Sequence, residues 1–269
     1  MIPARFDYVA AESAQHAVSL LASHGEDAKL LAGGHSLLPM MKLRLAAPEV
    51  LVDIARADGL AGISVDGDDL VIGAATPHAR LATSELARSE APLLAHAASL
   101  VGDPQVRHRG TIGGSLAHAD PAADLPMALV ALGGSVDVLG PGGSRRVAAD
   151  DFFAGYFETA LTPDELITAV RVPRRPGVPW GYQKFVRRAN DWAIVGVAAI
   201  GGRIALANMG PVPMRARAAE QALTAGASPA EAAALAAQGT SPGEDMHADR
   251  AYREHLARVL TRRALEHEA

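Results

Sequence analysis

The chain contains no cysteine. That excludes disulfides, thiolate metal sites and any iron–sulfur cluster held by this chain itself. Aromatic residues make up only 4%, so leucine, valine and alanine must fill the core. No apolar run approaches the roughly 20 residues that a spanning helix needs. The N-terminus, MIPARFDYVA, lacks the apolar centre of a signal peptide. No long basic block occurs and the net charge is -5, which argues against a nucleic-acid partner. Several motifs are also missing. Gly33-Gly34 has no third glycine where a G-x-G-x-x-G fingerprint requires one, although Asp53 follows at a suitable distance. No G-K-[ST] occurs, Gly34-His35-Ser36 runs on into Leu37-Leu38 rather than a nucleophile elbow, and the ten histidines include no H-E-x-x-H pair.

What remains is an ordinary globular composition, 49% hydrophobic and 20% charged over 269 residues. We expect a cytoplasmic protein without a membrane span, built as one large domain or two ordinary ones. Residues 4–10 read as a strand. Ala14, Ala17, Val18 and Leu21 recur at helical spacing, with Gly25 as the C-terminal stop. Leu30-Leu31 and Leu51–Ile54 read as strands, completing a β-α-β-β unit over about 1–57. Ile63–Val65 and Leu70–Ile72 form a hairpin around Asp66–Asp69. Thr76-Pro77 reads as N-cap and first residue of a short helix. Helices follow at Pro92–Leu100 and through Leu129–Leu132. Val136–Leu139, Arg145–Val147 and Ile167–Val172 are strands, and Thr162–Glu165 has capping-box spacing.

Three prolines and a glycine within Pro173–Pro179 mark a boundary. It divides 1–175, with subparts of about 1–57 and 58–175, from 176–269. The second unit reads as three antiparallel strands, Gly181–Val186, Trp192–Ile200 and Ile204–Met209, with Gly201-Gly202 as a hairpin turn. Helices follow at Met214–Leu223, from the Ser228–Glu231 capping box, and over about Ala248–His267, where Tyr252, Leu256, Val259 and Leu260 form the buried stripe.

Two glycine pairs carry the functional argument. The first is Ala32-Gly33-Gly34-His35-Ser36-Leu37, delivered by the strand at Leu30-Leu31. The second is Gly110–Ser115, GTIGGS, read as a loop, in which Thr111 and Ser115 offer hydroxyls around Ile112, Gly113 and Gly114. A glycine pair lets backbone N–H groups face one concavity without Cβ clashes, which suits phosphate oxygens. Together the two stretches suit a pyrophosphate gripped from both sides; either alone is equally an ordinary turn. His118 and Asp120 lack further metal ligands and read as shaping the loop. Asp124 either caps the helix that follows or accepts hydrogen bonds from a neutral hydroxyl, because a carboxylate beside a diphosphate is repelled. Lys184 reads as a solvated lysine or a ligand group. Trp192, beside Asn190 and Asp191, reads as core or as an exposed aromatic suited to covering a planar ring.

AGGHSLLPMMKLR (32–44), GTIGGSLAHADPAADLP (110–126) and YQKFVRRANDWAIVGVA (182–198) together resemble the FAD-binding medium subunit of molybdenum hydroxylases, the family of carbon monoxide dehydrogenase medium chains and xanthine dehydrogenase flavin domains. The resemblance extends over essentially the whole chain, including YREHLARVLTRRAL. It implies an α+β fold: a two-part FAD-binding domain of the vanillyl-alcohol-oxidase type, then a small antiparallel sheet with helices. It implies that 32–36 and 111–115 are the pyrophosphate segments, that Asp124 is the acidic FAD contact, and that Lys184, or in another register Gln183, lies near the isoalloxazine. Trp192 then sits in the loop flanking that ring. The implied function is electron relay. A molybdopterin-containing large subunit oxidises the substrate. A small subunit with two [2Fe–2S] clusters passes electrons to FAD on this chain, and a quinone, NAD or another acceptor is reduced. The rivals are a stand-alone flavin oxidoreductase working by hydride transfer from a small molecule, and a scaffold that has lost its flavin.

Overall fold

The computed structural model describes residues 2–268; the outer limits of the two expected units, residues 1 and 269, lie outside them. The chain opens with β1 (Asp7–Ala10), α1 (Ala14–His24), β2 (Ala28–Leu31), α2 (Leu37–Lys42) and β3 (Val50–Asp53). The strands form a parallel sheet in the order β1-β3-β2. Parallel neighbours need a crossover, which α1 and α2 supply. The central β3 carries the run Val50-Leu51-Val52 because it is buried. Its partner starts at Val50, so β1 pairs only from Asp7 and is shorter than the expected 4–10. Helix α1 buries Ala14, Ala17, Val18 and Leu21 as its spacing predicts. Ser13 caps it by accepting from the His16 N–H, and Gly25 stops it at φ 58°.

The second part is a five-stranded antiparallel sheet with one face covered by helices. Its strands are β4 (Ile63–Asp66), β5 (Asp69–Gly73), β6 (Ser135–Gly140), β7 (Gly143–Ala148) and, after the short hairpin β8 (Phe153–Gly155) and β9 (Glu158–Thr159), β10 (Leu166–Pro173). They lie in the order β4-β5-β10-β6-β7. Between β5 and β6 run α3 (His78–Thr83), α4 (Glu85–Glu90), α5 (Pro92–Ser99), α6 (Pro104–Arg109), α7 (Ile112–His118) and α8 (Asp124–Leu132); α9 (Ala149–Phe152) follows β7.

Three local expectations fail here for physical reasons. Thr76 does not cap α3. It is fully buried, and its hydroxyl both accepts from the Gly62 N–H and donates to the Gly62 carbonyl, leaving Pro77 at the cap. Thr162–Glu165 starts no helix. Thr162 N–H donates to Glu165 Oε2 at 2.9 Å, but the Thr162 hydroxyl turns to Asp164, and Leu166 is already paired with Leu139 in β10. The second glycine stretch is not a loop throughout, since α7 begins at Ile112 with Thr111 as its cap.

The third part is a sheet of four strands rather than three: β11 (Trp180–Phe185), β12 (Val195–Ile200), β13 (Arg203–Ala207) and β14 (Met214–Arg215), antiparallel and in that order. Met214 and Arg215 pair with Leu206 and Ala205, so α10 starts only at Arg217 and runs to Thr224. Then come α11 (Pro229–Ala234), opened by the expected Ser228/Glu231 capping box, and α12 (Arg250–Glu268).

Strand β12 explains how the parts join. All six of its residues are buried. Val195, Val197 and Ala199 pack in the C-terminal core with α12, whereas Ala198 and Ile200 belong to the core that holds α8. The period of two sends alternate side chains to opposite layers. Helix α8 is buried at every position, as a helix apolar all round must be. Helix α12 lies so close to β11 that a Cβ on Gly181 would sit 2.0 Å from the Ala264 carbonyl oxygen. Strand β11 is therefore clamped between two helical layers, which fixes where its side chains point.

Candidate functional site

Strand β2 ends at Leu31 and hands the chain to Ala32–Ser36. Gly34 turns at φ 73°, in the left-handed region that favours glycine. Among the described residues, the N–H groups of Gly33, Gly34, His35 and Ser36 have no protein acceptor, and neither does the Ser36 hydroxyl. The His35 ring donates from Nδ1 to the Gly33 carbonyl at 3.0 Å, and Leu38 N–H closes onto the Gly34 carbonyl at 3.1 Å. The loop is thus internally braced while its donors stay free, as an anion cradle requires.

Its back is pressed against the second glycine stretch. A Cβ on Gly33 would lie 2.2 Å from the Arg109 carbonyl oxygen and 2.8 Å from Gly110 Cα. The structure thus brings the two stretches together, but their chemistry is unequal. In the second, Ile112 N–H donates to Thr76 O, Gly113 N–H to Ala74 O, Gly114 N–H to Thr111 Oγ1 and Ser115 N–H to Thr111 O. The Ile112 and Gly113 amides anchor α7 to the segment after β5, and those of Gly114 and Ser115 close onto Thr111. Gly113 is required by that anchoring, because a Cβ there would meet Ala74 at 2.6 Å. Gly114 is exposed, and a Cβ there would meet only the Thr111 hydroxyl. This side therefore offers bare backbone and the Ser115 hydroxyl rather than a second ring of N–H groups.

His78 sits behind both stretches. It is 4% exposed, its ring edge would touch a Cβ on Gly110, and its Nδ1 has no hydrogen-bond partner. Burial first, then His35 and Arg107, lower its pKa from 6.5 to about 4. The unfolded chain takes up this proton near 6.5 and the folded chain only near 4. Stability is therefore full above 6.5 and falls with pH through that window, by about 3 kcal/mol if His78 acts alone. Urea unfolding of flavin-free protein from pH 7 to 4 should show this slope, and His78→Gln should flatten it.

The other expected residues fall into three places. Asp120 shapes the turn before α8, accepting from the Ala122 N–H at 2.8 Å. His118 packs 5.2 Å from the Phe157 ring centroid, and burial lowers its pKa against the pull of Asp120. Among the described residues no His/Asp/Glu group could hold a metal ion. Asp53 is taken by the Tyr8 hydroxyl and the Ala55 N–H.

Asp124 does not cap α8; Ala123 holds that position and Asp124 is the first residue inside. Lys184 Nζ donates to its Oδ2 at 2.9 Å and to the Leu100 carbonyl at 3.1 Å. The Tyr182 hydroxyl donates to its Oδ1. The Lys184 and Asp124 side chains are 8% and 4% exposed, so this is a buried ion pair and not a solvated lysine. Burial raises the Asp124 carboxyl pKa, with Lys184 and Tyr182 opposing, and burial pushes the Tyr182 phenol well up.

Tyr182 and Lys184 also line a pocket of about 360 Å³ with His96, Leu100, Arg107 and Asn190. The sequence reading missed Tyr182, His96, Leu100 and Arg107. For Tyr182 a signal was there: it stands two residues from Lys184, so on a strand both face one side. Gln183 lines the pocket too, from the alternate position. Trp192 is 55% exposed, on the same loop as Asn190. Its loop is anchored behind it, where Asn208 donates to the Ala193 carbonyl and buried Arg253 to the Ile194 carbonyl.

A free N–H cradle and a pocket walled by a cation and polar groups lie at either end of α6, which ends against Gly33 and puts Arg107 into the pocket wall. These donors fit a diphosphate joined to a ring system. Residues 4–175 match the family described as the FAD binding domain in molybdopterin dehydrogenase, and 180–267 match the CO dehydrogenase flavoprotein C-terminal domain. The chain belongs to the molybdopterin dehydrogenase FAD-binding family. FAD is accordingly its cofactor, and it is the FAD-binding, medium-chain type of subunit of a multisubunit dehydrogenase. It is 44% identical to the carbon monoxide dehydrogenase medium chain of Hydrogenophaga pseudoflava, over 98% of this chain and 97% of that one. It is 40% identical to the 6-hydroxypseudooxynicotine dehydrogenase complex subunit alpha of Paenarthrobacter nicotinovorans, over 98% and 95%. The solved structure of the Hydrogenophaga pseudoflava carbon monoxide dehydrogenase aligns with a TM-score of 0.96 and 45% identity, covering 100% of this chain and 98% of that one. Among the described residues no helix is long and apolar enough to cross a membrane.

Proposed function

We propose that this member of the family is an electron-transfer subunit, taking electrons from a [2Fe–2S] small subunit served by a molybdopterin-containing large subunit, and delivering them to an external acceptor such as a quinone or NAD. The observation that carries this reading is the braced Gly33–Ser36 loop with free donors, backed onto 109–110 and one short helix away from the Lys184 pocket. Bound FAD would supply two-electron storage with one-electron exchange. The chain's own residues would do the holding. Ala32–Leu37 cradle the diphosphate. Thr111–Ser115 flank it, with Gly114 allowing close approach. Asp120 shapes the adjoining turn, Lys184 faces the ring end with Asp124 buried behind it, and Trp192 covers the ring from its loop. The cysteine-free sequence requires any iron–sulfur cluster to come from another chain. Two relatives similar over nearly their whole length carry names for chemically unlike substrates, carbon monoxide and a hydroxylated nicotine derivative, which suits a subunit that does not select the substrate.

We also read 1–175 and 176–269 as the FAD-binding and C-terminal domains, a division supported by the two family matches ending at 175 and beginning at 180. The reading carries a cytoplasmic location with it, which cell fractionation tests. The decisive experiment is purification from the native source. Large molybdenum-containing and small iron–sulfur partners are expected to come with this chain. Substrate should bleach the flavin absorbance of that complex and leave the isolated FAD-loaded chain unchanged. Bleaching of the isolated chain would instead make it a stand-alone flavin oxidoreductase.

A further inference from the structure

Tyr182 lines the pocket, yet its polar atom is bonded to a buried partner inside the protein. Its ring is buried, with the His96 ring edge-on at 5.2 Å, and its hydroxyl is committed to Asp124 Oδ1. The strand cannot slide to relieve it. Tyr182 and Lys184 are in register with Ala198 and Gly196, and Gly181 is held against the Ala264 carbonyl. Asp124 accepts from one side chain on each oxygen, and Lys184 divides its ammonium between Asp124 Oδ2 and the Leu100 carbonyl. Both Leu100 and Lys184 line the pocket. The ammonium is thus held at the wall by two acceptors, and the position of one of them depends on Tyr182.

We propose that Tyr182 is a positioning residue: by occupying Asp124 Oδ1 it holds the carboxylate in the orientation from which Lys184 presents a fixed positive charge at the wall of the pocket. This rests on the FAD reading above and extends it. A buried carboxylate with one donor missing carries a desolvation cost. It is relieved if the ammonium swings to bridge both oxygens, leaving the Leu100 carbonyl. That response draws the charge back from the wall. A fixed cation favours the ligand state with more negative charge, so the loss falls on the electron-rich reduced flavin more than on the oxidised one.

The test compares FAD affinity in the oxidised and the two-electron-reduced state for wild type, Tyr182→Phe, Lys184→Met and the double variant, with the melting temperature of each flavin-free protein measured alongside. Tyr182→Phe is expected to weaken reduced FAD about tenfold more than oxidised FAD, which lowers the two-electron midpoint potential by about 30 mV. In the Lys184→Met background the same change should move the ratio no further. If Tyr182→Phe does not fold, Tyr182→Met, which also removes the hydroxyl from Asp124 Oδ1, must produce the shift in its place. A lower melting temperature with an unchanged affinity ratio would make Tyr182 merely structural and overturn the proposal, as would a shift that persists without Lys184. A wild type that binds no FAD in either state would overturn the cofactor reading itself, a result distinct from either of these.

Discussion

Gly33→Val should yield a chain that folds, melts lower and retains almost no FAD. Gly33 does not need an unusual φ; its constraint is space. A Cβ would be 2.2 Å from the Arg109 carbonyl oxygen and 2.8 Å from Gly110 Cα, and both are backbone atoms that cannot rotate away. Valine adds two methyl groups to that clash. Overpacking a tight site costs about 1–3 kcal/mol once the surroundings have shifted. The shift separates the first glycine loop from the end of α6, the contact that sets the cradle beside the pocket. Because free N–H groups must converge on one ligand, a displacement of about 1 Å is enough to lose them. We expect flavin absorbance per chain to fall at least about tenfold, a loss of more than about 1.4 kcal/mol in binding. Two controls separate packing from chemistry. Gly142→Ala meets nothing within 4 Å and should leave flavin content unchanged. Gly114→Ala touches only the Thr111 hydroxyl, so it should cost little stability while reducing flavin content. A Gly33→Val protein with full flavin content would remove the cradle from the FAD site.

Local signals in the sequence were legible where local physics decides the outcome. The α1 stripe, the Ser228/Glu231 box and the Gly33-Gly34 turn all depend on residues within a few positions of one another. Where tertiary partners compete, the same signals misled. Thr76 looks like a cap but spends its hydroxyl on Gly62, fourteen residues away. Gly113-Gly114 looks like a loop because glycine disfavours helix interiors. It is nevertheless the first turn of α7, since Ala74 leaves no room for a side chain at Gly113 and the Thr111 hydroxyl satisfies the Gly114 amide. The site showed the same division. Each glycine pair was visible, but the unequal use of their amides depends on Ala74 and Thr76. The family resemblance placed Asp124 and Lys184 at the flavin site, yet nothing in the sequence pairs residues sixty positions apart with each other. Tyr182 is legible as the neighbour of Lys184 on one strand face, but its role depends on a hydroxyl acceptor, Asp124, that lies 58 positions away.

Lys184→Met should be among the most destabilising single changes in the chain, and the penalty should depend on pH. It removes the counter-charge of a carboxylate that is 4% exposed, and breaking a buried pair from one side costs about 3–5 kcal/mol. Burial already raises the Asp124 pKa, with Lys184 the largest opposing influence. Without Lys184 the folded-state pKa climbs further above its unfolded value. A carboxyl raised in this way is least costly when protonated. The deficit of the variant relative to wild type should therefore be smallest near or below the usual carboxylate range, and should grow as pH rises through the folded-state value toward neutrality. Adding Asp124→Leu removes the stranded charge. The double variant should recover part of the neutral-pH stability, because a hydrophobic replacement of a buried pair is often neutral or favourable, while the Tyr182 hydroxyl, left without its acceptor, limits the gain. It should not recover FAD retention if the pair serves the ligand, since the pocket wall would then hold neither charge. Denaturant unfolding of the flavin-free single and double variants across this pH range, with flavin content measured in parallel, distinguishes the two roles. A double variant that is stable and fully flavinylated would show that the pair serves only the packing of α8 against β11.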